Sequence, residues 1–510
     1  MSVDHVESRQ LTGAEPAPLP QGTTSLRFLW SNRLAALAVA TSIAVVAGLL
    51  SAWLTPRGPL TTSEALASMA AAFAVGGAVG LITRSRWSLL LAPVVFVTVV
   101  ELGRIGLDGL TVGEISVGSF MGISALVVGR GVHGILVLAP MVVGGVYGIW
   151  LATRLGGSAK VLRRLGWAVT VLATAVLVLL AAVIARPAST DPIVDADGEP
   201  LPGSVAELAT VEIGGHDQVL MIRGSSAENP VLFFLAGGPG GTEIGGMRAD
   251  TSLEQDFVVV TWDQRGTGKS YPAIDPIDTL TVDQMVADTI EVTNYLRDRF
   301  DQDKVYLVGQ SWGTVLGTLV VQQSPELYHA YVGTGQMVDL PETDLMFYED
   351  TMAWAEQTGN DGLEQTLIAN GPPPYDDVRD YEPVVSYEHD WNPYPGVGSL
   401  VEMPFNLFVR ENSAMDIVNG VRGLLDTYSV LYPQLRNIDF RRDVTRLEVP
   451  VYLVQGAYET RGRAVLADEW FAMLDAPSKQ LITFENSGHR PSFEEPEAFH
   501  AVMSGLVLAN

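Results

Sequence analysis

The 510-residue sequence contains no cysteine and carries little charge, since only 17% of its residues are Asp, Glu, Lys or Arg, against about 25% in typical domains. The absence of cysteine excludes disulfide frameworks, thiolate zinc sites, iron–sulfur clusters and cysteine nucleophiles. The low charge, together with 47% hydrophobic residues, excludes a globally disordered chain. At about 150 residues per domain, the length suffices for two to four domains.

Basic residues are scarce and unevenly distributed along the chain. The first 190 residues hold 13 Lys and Arg against 7 Asp and Glu, a net charge of +6. Residues 191–510 hold 18 basic and 51 acidic residues, a net charge of −33. Two physically different regions therefore meet near residue 190. Because a body as acidic as the second region repels phosphate backbones, we do not expect nucleic-acid binding.

Long uncharged runs fill the first region and predict membrane spans, because about 20 apolar residues match the thickness of the hydrocarbon core. The five candidates are residues 34–54, 65–82, 88–100, 131–153 and 165–184. A further apolar run at 115–128 has only 14 residues and is separated from the next run by two residues. We expect this run to be interfacial or re-entrant.

The placement of Lys and Arg predicts the orientation of this region. With five spans and an inner N-terminus, nine basic residues lie on inner segments and three on the outer segments before the last span. The expected order is a disordered cytoplasmic tail (1–30), a transmembrane helical domain (31–186), a linker (187–204) and an extracytoplasmic domain (205–510). A crossing by residues 115–128 would reverse that last location.

From residue 205 onwards, short β-branched runs alternate with amphipathic stretches. Strand-like runs at 231–235, 257–262 and 305–308 alternate with helical patterns such as 281–300. This alternation predicts a mostly parallel sheet flanked by helices. In such sheets the reacting groups lie at the carboxyl ends of the strands.

One of these strand ends carries the motif Gly309-Gln310-Ser311-Trp312-Gly313, followed by an apolar helical pattern. It matches G-x-S-x-G in its required context of strand, turn and helix. The turn is tight, so both flanking positions need glycine. It exposes the Ser311 hydroxyl and directs the Trp312 N–H towards any oxyanion formed there. We therefore predict that Ser311 is a nucleophile.

A serine nucleophile requires a base, and the base requires an orienting acid. Two late strand-like runs end five residues before Glu459 and five residues before His489. Both loops should lie at the same sheet edge as Ser311. We predict His489 as the base and Glu459 as the acid, with Asp443 or Asp468 as alternatives for the acid.

Several motifs of this region together resemble the proline iminopeptidase branch of the α/β-hydrolases, a family of serine aminopeptidases. They are Ala236–Gly241, Asp263–Ser270, Gly309–Gly313, Gly333-Thr334-Gly335-Gln336 and Gly488-His489. The resemblance covers about residues 205–510. The family usually has His where Ala236 stands and Asp where Glu459 stands.

The resemblance implies a catalytic triad of Ser311, His489 and Glu459. It also implies that the backbone N–H groups of Gly238 and Trp312 form the oxyanion hole. Gly238 suits this position because a Cβ there would crowd the substrate.

The segment at about 340–445 is expected to be a helical cap that covers the serine and excludes water. In the resembled family, cap carboxylates bind the free amine of the substrate. Glu342, Glu349 and Glu356 repeat every seven residues and can share one helical face. They are candidates for amine binding, with a solvated acidic face as the alternative.

These features predict an α/β-hydrolase fold, with a mostly parallel sheet and a helical cap, preceded by an all-α transmembrane bundle. The leading hypothesis is a membrane-anchored serine hydrolase of the proline iminopeptidase type, which cleaves N-terminal residues from short peptides through an acyl-enzyme. The alternatives are an esterase or amidase acting on small or lipid-like substrates, and a non-catalytic ligand-binding membrane protein. The sequence shows no metal or nucleotide motif, so the expected partners are the lipid bilayer and the substrate, without a cofactor.

Overall fold

The computed structural model describes residues 22–156, 164–396 and 406–508, so most of the predicted N-terminal tail lies outside the described residues. The chain divides into two compact units. The first unit contains the chain up to residue 50 together with residues 69–100 and 137–175. The second unit contains all residues from 176 onwards and also residues 51–68 and 101–136. These two ranges comprise connections between the N-terminal helices together with adjoining helical residues, and we call them the interhelical segments.

The N-terminal region is helical. Its helices are Gly22–Ser31, Arg33–Leu54, Thr62–Thr83, Ser88–Gly103, Phe120–Ala125, Val132–Leu155 and Arg164–Ile184. Among the described residues, four stretches are long and apolar enough to cross a membrane: Arg33–Leu54, Thr62–Thr83, Phe120–Leu155 and Gly166–Ile184. The helix Ser88–Gly103 is apolar but shorter.

The run 131–153 and residues 120–128 of the run 115–128, which we expected to be separate, belong to one continuous helical stretch. The helix Phe120–Ala125 passes through a π-helical turn, Leu126–Gly131, into the helix Val132–Leu155. A π turn accommodates the Gly129-Arg130 pair without a break in the helix. The side chain of Ser119 caps the start of the whole stretch by accepting a hydrogen bond from Gly122 N.

Glycines allow very close backbone contact within the first unit. A Cβ at Gly76 would lie 1.8 Å from Met141 O, and a Cβ at Gly148 would lie 2.0 Å from Gly77 O. The helices Thr62–Thr83 and Val132–Leu155 therefore touch through their backbones, as small-xxx-small patterns permit.

The second unit contains an eight-stranded sheet within its described residues. The strands are β1 Val205–Ile213, β2 His216–Gly224, β3 Val231–Leu235, β4 Val258–Asp263, β5 Val305–Gln310, β6 Tyr328–Thr334, β7 Val451–Gly456 and β8 Lys479–Phe484. Their order is β1-β2-β4-β3-β5-β6-β7-β8. The β1–β2 and β2–β4 pairs are antiparallel and the remaining pairs are parallel.

Both faces of this sheet are covered. The residues of β3 are buried throughout: Phe233 and Leu235 belong to one core cluster, whereas Leu232 and Phe234 belong to another. Successive residues of a strand point to opposite faces, so a strand buried on both sides needs an unbroken apolar run. The sheet is therefore the middle layer between two helical layers.

From residue 205 onwards, the helices that the structure describes connect and cover these strands. They are Ile244–Ala249, Val282–Phe300, Trp312–Gln323, Leu340–Thr358, Asp361–Asn370, Glu382–Ser386, Glu388–Trp391, Ala414–Leu431, Phe440–Asp443, Arg461–Met473, Pro491–Glu494 and Pro496–Val502. Those between β6 and β7 form the cap. We refer to Leu340–Thr358 as cap helix A and to Ala414–Leu431 as cap helix B.

Candidate active site

Ser311 lies on a strained turn between β5 and the helix Trp312–Gln323. Its φ of 54° is in the left-handed region, which costs a non-glycine residue about 1–3 kcal/mol. A Cβ at Gly309 would lie 2.4 Å from Gly313 O, and a Cβ at Gly313 would lie 2.1 Å from Leu235 O. Both positions flanking the serine therefore require glycine, as the sequence motif predicts.

His489 and Glu459 are in direct contact. His489 Nδ1 lies 2.7 Å from Glu459 Oε2. An ionised carboxylate can only accept a hydrogen bond, so the Nδ1 atom carries the hydrogen. The other ring nitrogen, Nε2, is then left as the basic atom, which is the tautomer that a serine hydrolase needs.

Burial and charge act in opposite directions on Glu459, whose side chain is only 2% exposed. Burial alone would raise the pKa of this carboxyl, but the nearby charges of His489 and Arg463 and their hydrogen bonds outweigh it and hold the pKa well below its usual range. The second carboxylate oxygen accepts hydrogen bonds from Arg463 at 3.0 Å and from Thr460 N at 2.9 Å. Glu459 therefore stays anionic beneath the imidazole.

The end of β6 brings His489 towards Ser311. Thr334 O accepts a hydrogen bond from Ser311 N at 3.0 Å. A Cβ on the next residue, Gly335, would lie 2.8 Å from both Cε1 and Nδ1 of His489. Two consecutive residues of β6 and its following loop thus contact Ser311 and the imidazole ring, respectively.

The Ser311 hydroxyl lies 3.8 Å from Met337 Sδ. Within the described residues it makes no hydrogen bond with His489. In unliganded hydrolytic sites such bonds are often long and tighten only when substrate binds.

The predicted oxyanion groups lie beside Ser311. Trp312 is the first residue of its helix, so its N–H has no acceptor within that helix. Gly237, which precedes Gly238, is so close that its Cβ would lie 3.3 Å from Ser311 Cβ. In the described part of the chain, neither Gly238 N nor Trp312 N donates a hydrogen bond. Both N–H groups are thus free to bind an anion.

The model of the α/β hydrolase fold family matches residues 230–371 of this chain. The chain is also 32% identical over 305 residues to the probable aminopeptidase YbaC of Bacillus subtilis, covering 59% of this chain and 96% of that protein. The chain belongs to the α/β-hydrolase family. The predicted fold of its C-terminal region is thereby confirmed, and the protein is a hydrolase.

A further relative agrees with this assignment. The hydrolase is 25% identical over 285 residues to a probable proline iminopeptidase of Leptolyngbya boryana, covering 52% of this chain and 83% of that protein. It is therefore related to aminopeptidases and proline iminopeptidases. The crystal structure of VinJ is similar at 21% identity over 59% of this chain and 98% of that chain, with a TM-score of 0.44.

The three glutamates predicted to bind an amine lie on cap helix A, but the structure gives two of them other partners. Glu342 Oε2 is 2.5 Å from the Arg441 guanidinium, and Glu349 Oε2 is 3.1 Å from that of Arg461. Glu356 is exposed. Among the described contacts, none joins these glutamates to Ser311 or His489.

The alternative acids are also placed elsewhere. Asp443 pairs with Arg442 at 2.7 Å on the exposed surface. Asp468 is on the helix Arg461–Met473 and, in the described part of the hydrolase, makes no contact with His489. Glu459 is thus the carboxylate that the structure brings to the imidazole.

Some residues of the site were missed by the sequence reasoning. Gln264 accepts a hydrogen bond from Trp312 Nε1 at 2.9 Å and donates one to Ala236 O at 3.1 Å, so it joins the helix Trp312–Gln323 to the loop after β3. Arg463 was also missed, although its spacing of four residues from Glu459 is a helical signal. Within the described residues, no cluster of three His, Asp or Glu side chains forms a metal site.

Proposed function

We propose that this hydrolase is a membrane-anchored serine aminopeptidase of the proline iminopeptidase type. The observation that carries the proposal is the His489–Glu459 hydrogen bond of 2.7 Å, next to a serine held on a tight glycine-flanked elbow. Relatives named as aminopeptidases and proline iminopeptidases support the same reaction class.

In the proposed reaction, His489 Nε2 removes the proton from the Ser311 hydroxyl as its oxygen attacks the carbonyl carbon of the N-terminal residue. The anionic Glu459 stabilises the imidazolium that forms. The N–H groups of Gly238 and Trp312 bind the developing oxyanion. The imidazolium then gives its proton to the leaving amine, and water attacks the resulting acyl-enzyme with His489 again acting as the base.

The proposed membrane anchor consists of the helices before residue 185. Four of them are long enough to span, and Ser88–Gly103 is a shorter fifth. Because Phe120–Leu155 is one continuous stretch, five crossings remain. With the Lys and Arg distribution, this number favours a cytoplasmic N-terminus and an extracytoplasmic hydrolase domain.

The proposed substrate has a free, positively charged amine. The net charge of −33 on residues 191–510 produces a potential that attracts cations and raises their local concentration. This general attraction does not depend on Glu342, Glu349 or Glu356, for which amine binding stays a prediction.

The alternative is an esterase that acts on small or lipid-like acyl substrates. It is favoured by the apolar side chain of Met337, whose Sδ atom lies 3.8 Å from the Ser311 hydroxyl. Such a neighbour suits a short acyl chain as well as an alanyl or prolyl side chain.

The two candidates are distinguished with the full-length protein and three substrate sets: alanine and proline p-nitroanilides, their N-acetylated forms and short p-nitrophenyl esters. An aminopeptidase cleaves the free-amine anilides and loses at least about 100-fold in kcat/KM on acetylation, because a site built for a polar group rejects analogues lacking it. Preferential cleavage of the esters, with no effect of acetylation on the anilides, would overturn the peptidase proposal.

A further inference from the structure

We propose that the interhelical segments, residues 51–68 and 101–136, are a working part of the enzyme. They hold cap helix B against the oxyanion loop, residues 236–241, and so position the N–H groups that bind the oxyanion. This inference rests on the proposed serine hydrolase function. It assigns a positioning role to Asp426, Arg57 and Thr111.

Asp426 on cap helix B is the centre of the contact. Its side chain is fully buried. Thr111 donates two hydrogen bonds to it, from N to Oδ1 at 2.8 Å and from Oγ to Oδ2 at 2.5 Å. Tyr271 donates a third at 2.6 Å. The carboxylate is thus bound by one interhelical segment and by the loop after β4 together.

Arg57 adds the second interhelical segment. Its side chain is 1% exposed and binds Asp275 through two bonds, from Nε at 2.9 Å and from a terminal nitrogen at 3.0 Å. Its other terminal nitrogen lies 3.7 Å from Asp426. A bidentate arginine–carboxylate pair is strongly directional, so Arg57 defines the position of its segment relative to both acids.

Cap helix B presents two further polar side chains on the same face, at spacings of three and four residues. Arg422 donates to Val128 O at 3.0 Å and to Pro59 O at 2.8 Å. Asn419 donates to Leu60 O at 2.7 Å. Positions 419, 422 and 426 follow the repeat that aligns residues along one side of a helix. Cap helix B therefore binds both segments along two turns.

The neighbouring surface of cap helix B touches the oxyanion loop. A Cβ at Gly240 would lie 2.4 Å from Gly423 O, and a Cβ at Gly423 would lie 2.7 Å from Gly266 O. Thr427 Oγ donates to Gly266 O at 2.7 Å. Gly240 is two residues from Gly238, the predicted oxyanion donor. Because these backbones are already in close contact, a shift of cap helix B would also displace the oxyanion loop.

The buried charges make this arrangement specific. Removing one member of a buried pair leaves an uncompensated charge and typically costs several kcal/mol, whereas the intact pair contributes little net stability. Apolar packing alone would permit cap helix B to slide by a fraction of a turn. The directional bonds of Asp426, Arg57 and Arg422 select one register, and the oxyanion loop follows it.

The chain also provides a matched control. Glu382, on a different cap helix, accepts hydrogen bonds from Phe120 N at 2.6 Å and Met121 N at 2.7 Å. It therefore binds the same segment as Asp426 does, residues 101–136, through a half-buried carboxylate. No described contact links Glu382 to the oxyanion loop.

The test compares full-length wild type, Asp426→Asn and Glu382→Gln in detergent micelles. The concentration of active sites is determined by titration with a fluorophosphonate, so that kcat is calculated per correctly folded enzyme molecule. Loss of an oxyanion donor costs about 10²–10³ in kcat, and we expect partial misplacement to cost about tenfold or more. Asp426→Asn should lower kcat per titrated site and weaken a boronic acid inhibitor by the same factor, with an unchanged KM. Glu382→Gln should match wild type in kcat per titrated site, in KM and in affinity for the boronic acid.

If Asp426→Asn fails to fold, Arg57→Lys supplies the same test, because lysine keeps the charge but not the bidentate geometry. Equal kcat and equal boronate affinity in the folded variants and wild type would overturn the inference. Equal losses of kcat and boronate affinity in Glu382→Gln would overturn the inference too. Any contact between the cap and the interhelical segment would then explain the effect. A wild type that hydrolyses nothing and takes up no phosphonate would instead contradict the proposed function itself.

Discussion

The two units of this protein achieve close packing in opposite ways. In the first unit, the buried positions of the helix Arg33–Leu54 are all small: Ala36, Ala40, Ala44 and Gly48. In the second unit the fully buried side chains include Trp262, Trp312 and Trp470. Large apolar groups gain most when they leave water. Close backbone approach between helices is the packing expected of the membrane anchor that we propose.

The two units also differ in their buried charged side chains. Arg265 and Asp288 form an ion pair at 2.7 Å in which both side chains are at most 1% exposed. The interhelical segments belong by sequence to the helical region but resemble the second unit in this respect, with buried Arg57 and Arg104. They are thus the part of the N-terminal region that uses directional polar contacts rather than small-residue packing.

The largest effect is expected from a substitution that alters a directional polar contact of the second unit. Glu459→Gln keeps the size of the acid but removes its charge and allows the wrong imidazole tautomer. The equivalent loss in a serine protease lowers kcat by about 10⁴, and we expect a similar loss here. Steady-state kinetics of the full-length protein measure it.

Asp443→Asn is the control for that variant, because it removes one of the alternative acids. Its pair with Arg442 is exposed, so kcat should stay at the wild-type value. A large loss in Asp443→Asn together with a small loss in Glu459→Gln would reverse the assignment of the acid.

In the first unit, we expect stability to depend on side-chain volume at the helix contacts instead of on charge. Gly76→Ala places a methyl group 1.8 Å from Met141 O, whereas the neighbouring Gly77→Ala has its nearest contact at 3.6 Å. Overpacking typically costs about 1–3 kcal/mol. We expect a lower thermal midpoint for Gly76→Ala than for Gly77→Ala, measured in the same detergent. Equal midpoints would mean that backbone contact does not stabilise this unit.

The smallest expected effect is the pH dependence of a buried acid in the cap. Burial raises the pKa of Asp344 from 3.8 to about 7, although Tyr432 donates a hydrogen bond to it at 2.6 Å. The folded protein thus holds this proton more tightly than the unfolded chain does. Its contribution to stability is present below pH 4 and is lost as the pH rises through about 7.

Asp344→Asn removes this loss, because an amide stays neutral at every pH. Relative to wild type, the variant should gain thermal stability between pH 5 and pH 8. Unfolding curves at the two pH values provide the measurement. An unchanged difference between variant and wild type would show that Asp344 is ionised in the folded protein at both values.

Much of the site could be predicted because its requirements are local. The glycines around Ser311 and the loop positions of Glu459 and His489 follow from strand ends and turn geometry within a few residues. The mostly parallel sheet followed from the alternation of patterns in the same way.

The remaining features depend on contacts between distant residues. Thr111 and Asp426 are 315 positions apart, and neither lies in a pattern that indicates a partner. Hydropathy identified apolar runs but treated Gly129-Arg130 as a separator, although the π turn carries the helix through it. Hydropathy measures transfer from water and contains no information about which polar groups meet.

The most direct test of the central claim is to treat the full-length protein with a fluorophosphonate and map the adduct by peptide mass spectrometry. We predict one adduct per chain, on Ser311, and none in Ser311→Ala. An adduct on a different serine, or a folded wild-type protein that takes up no label, would contradict it.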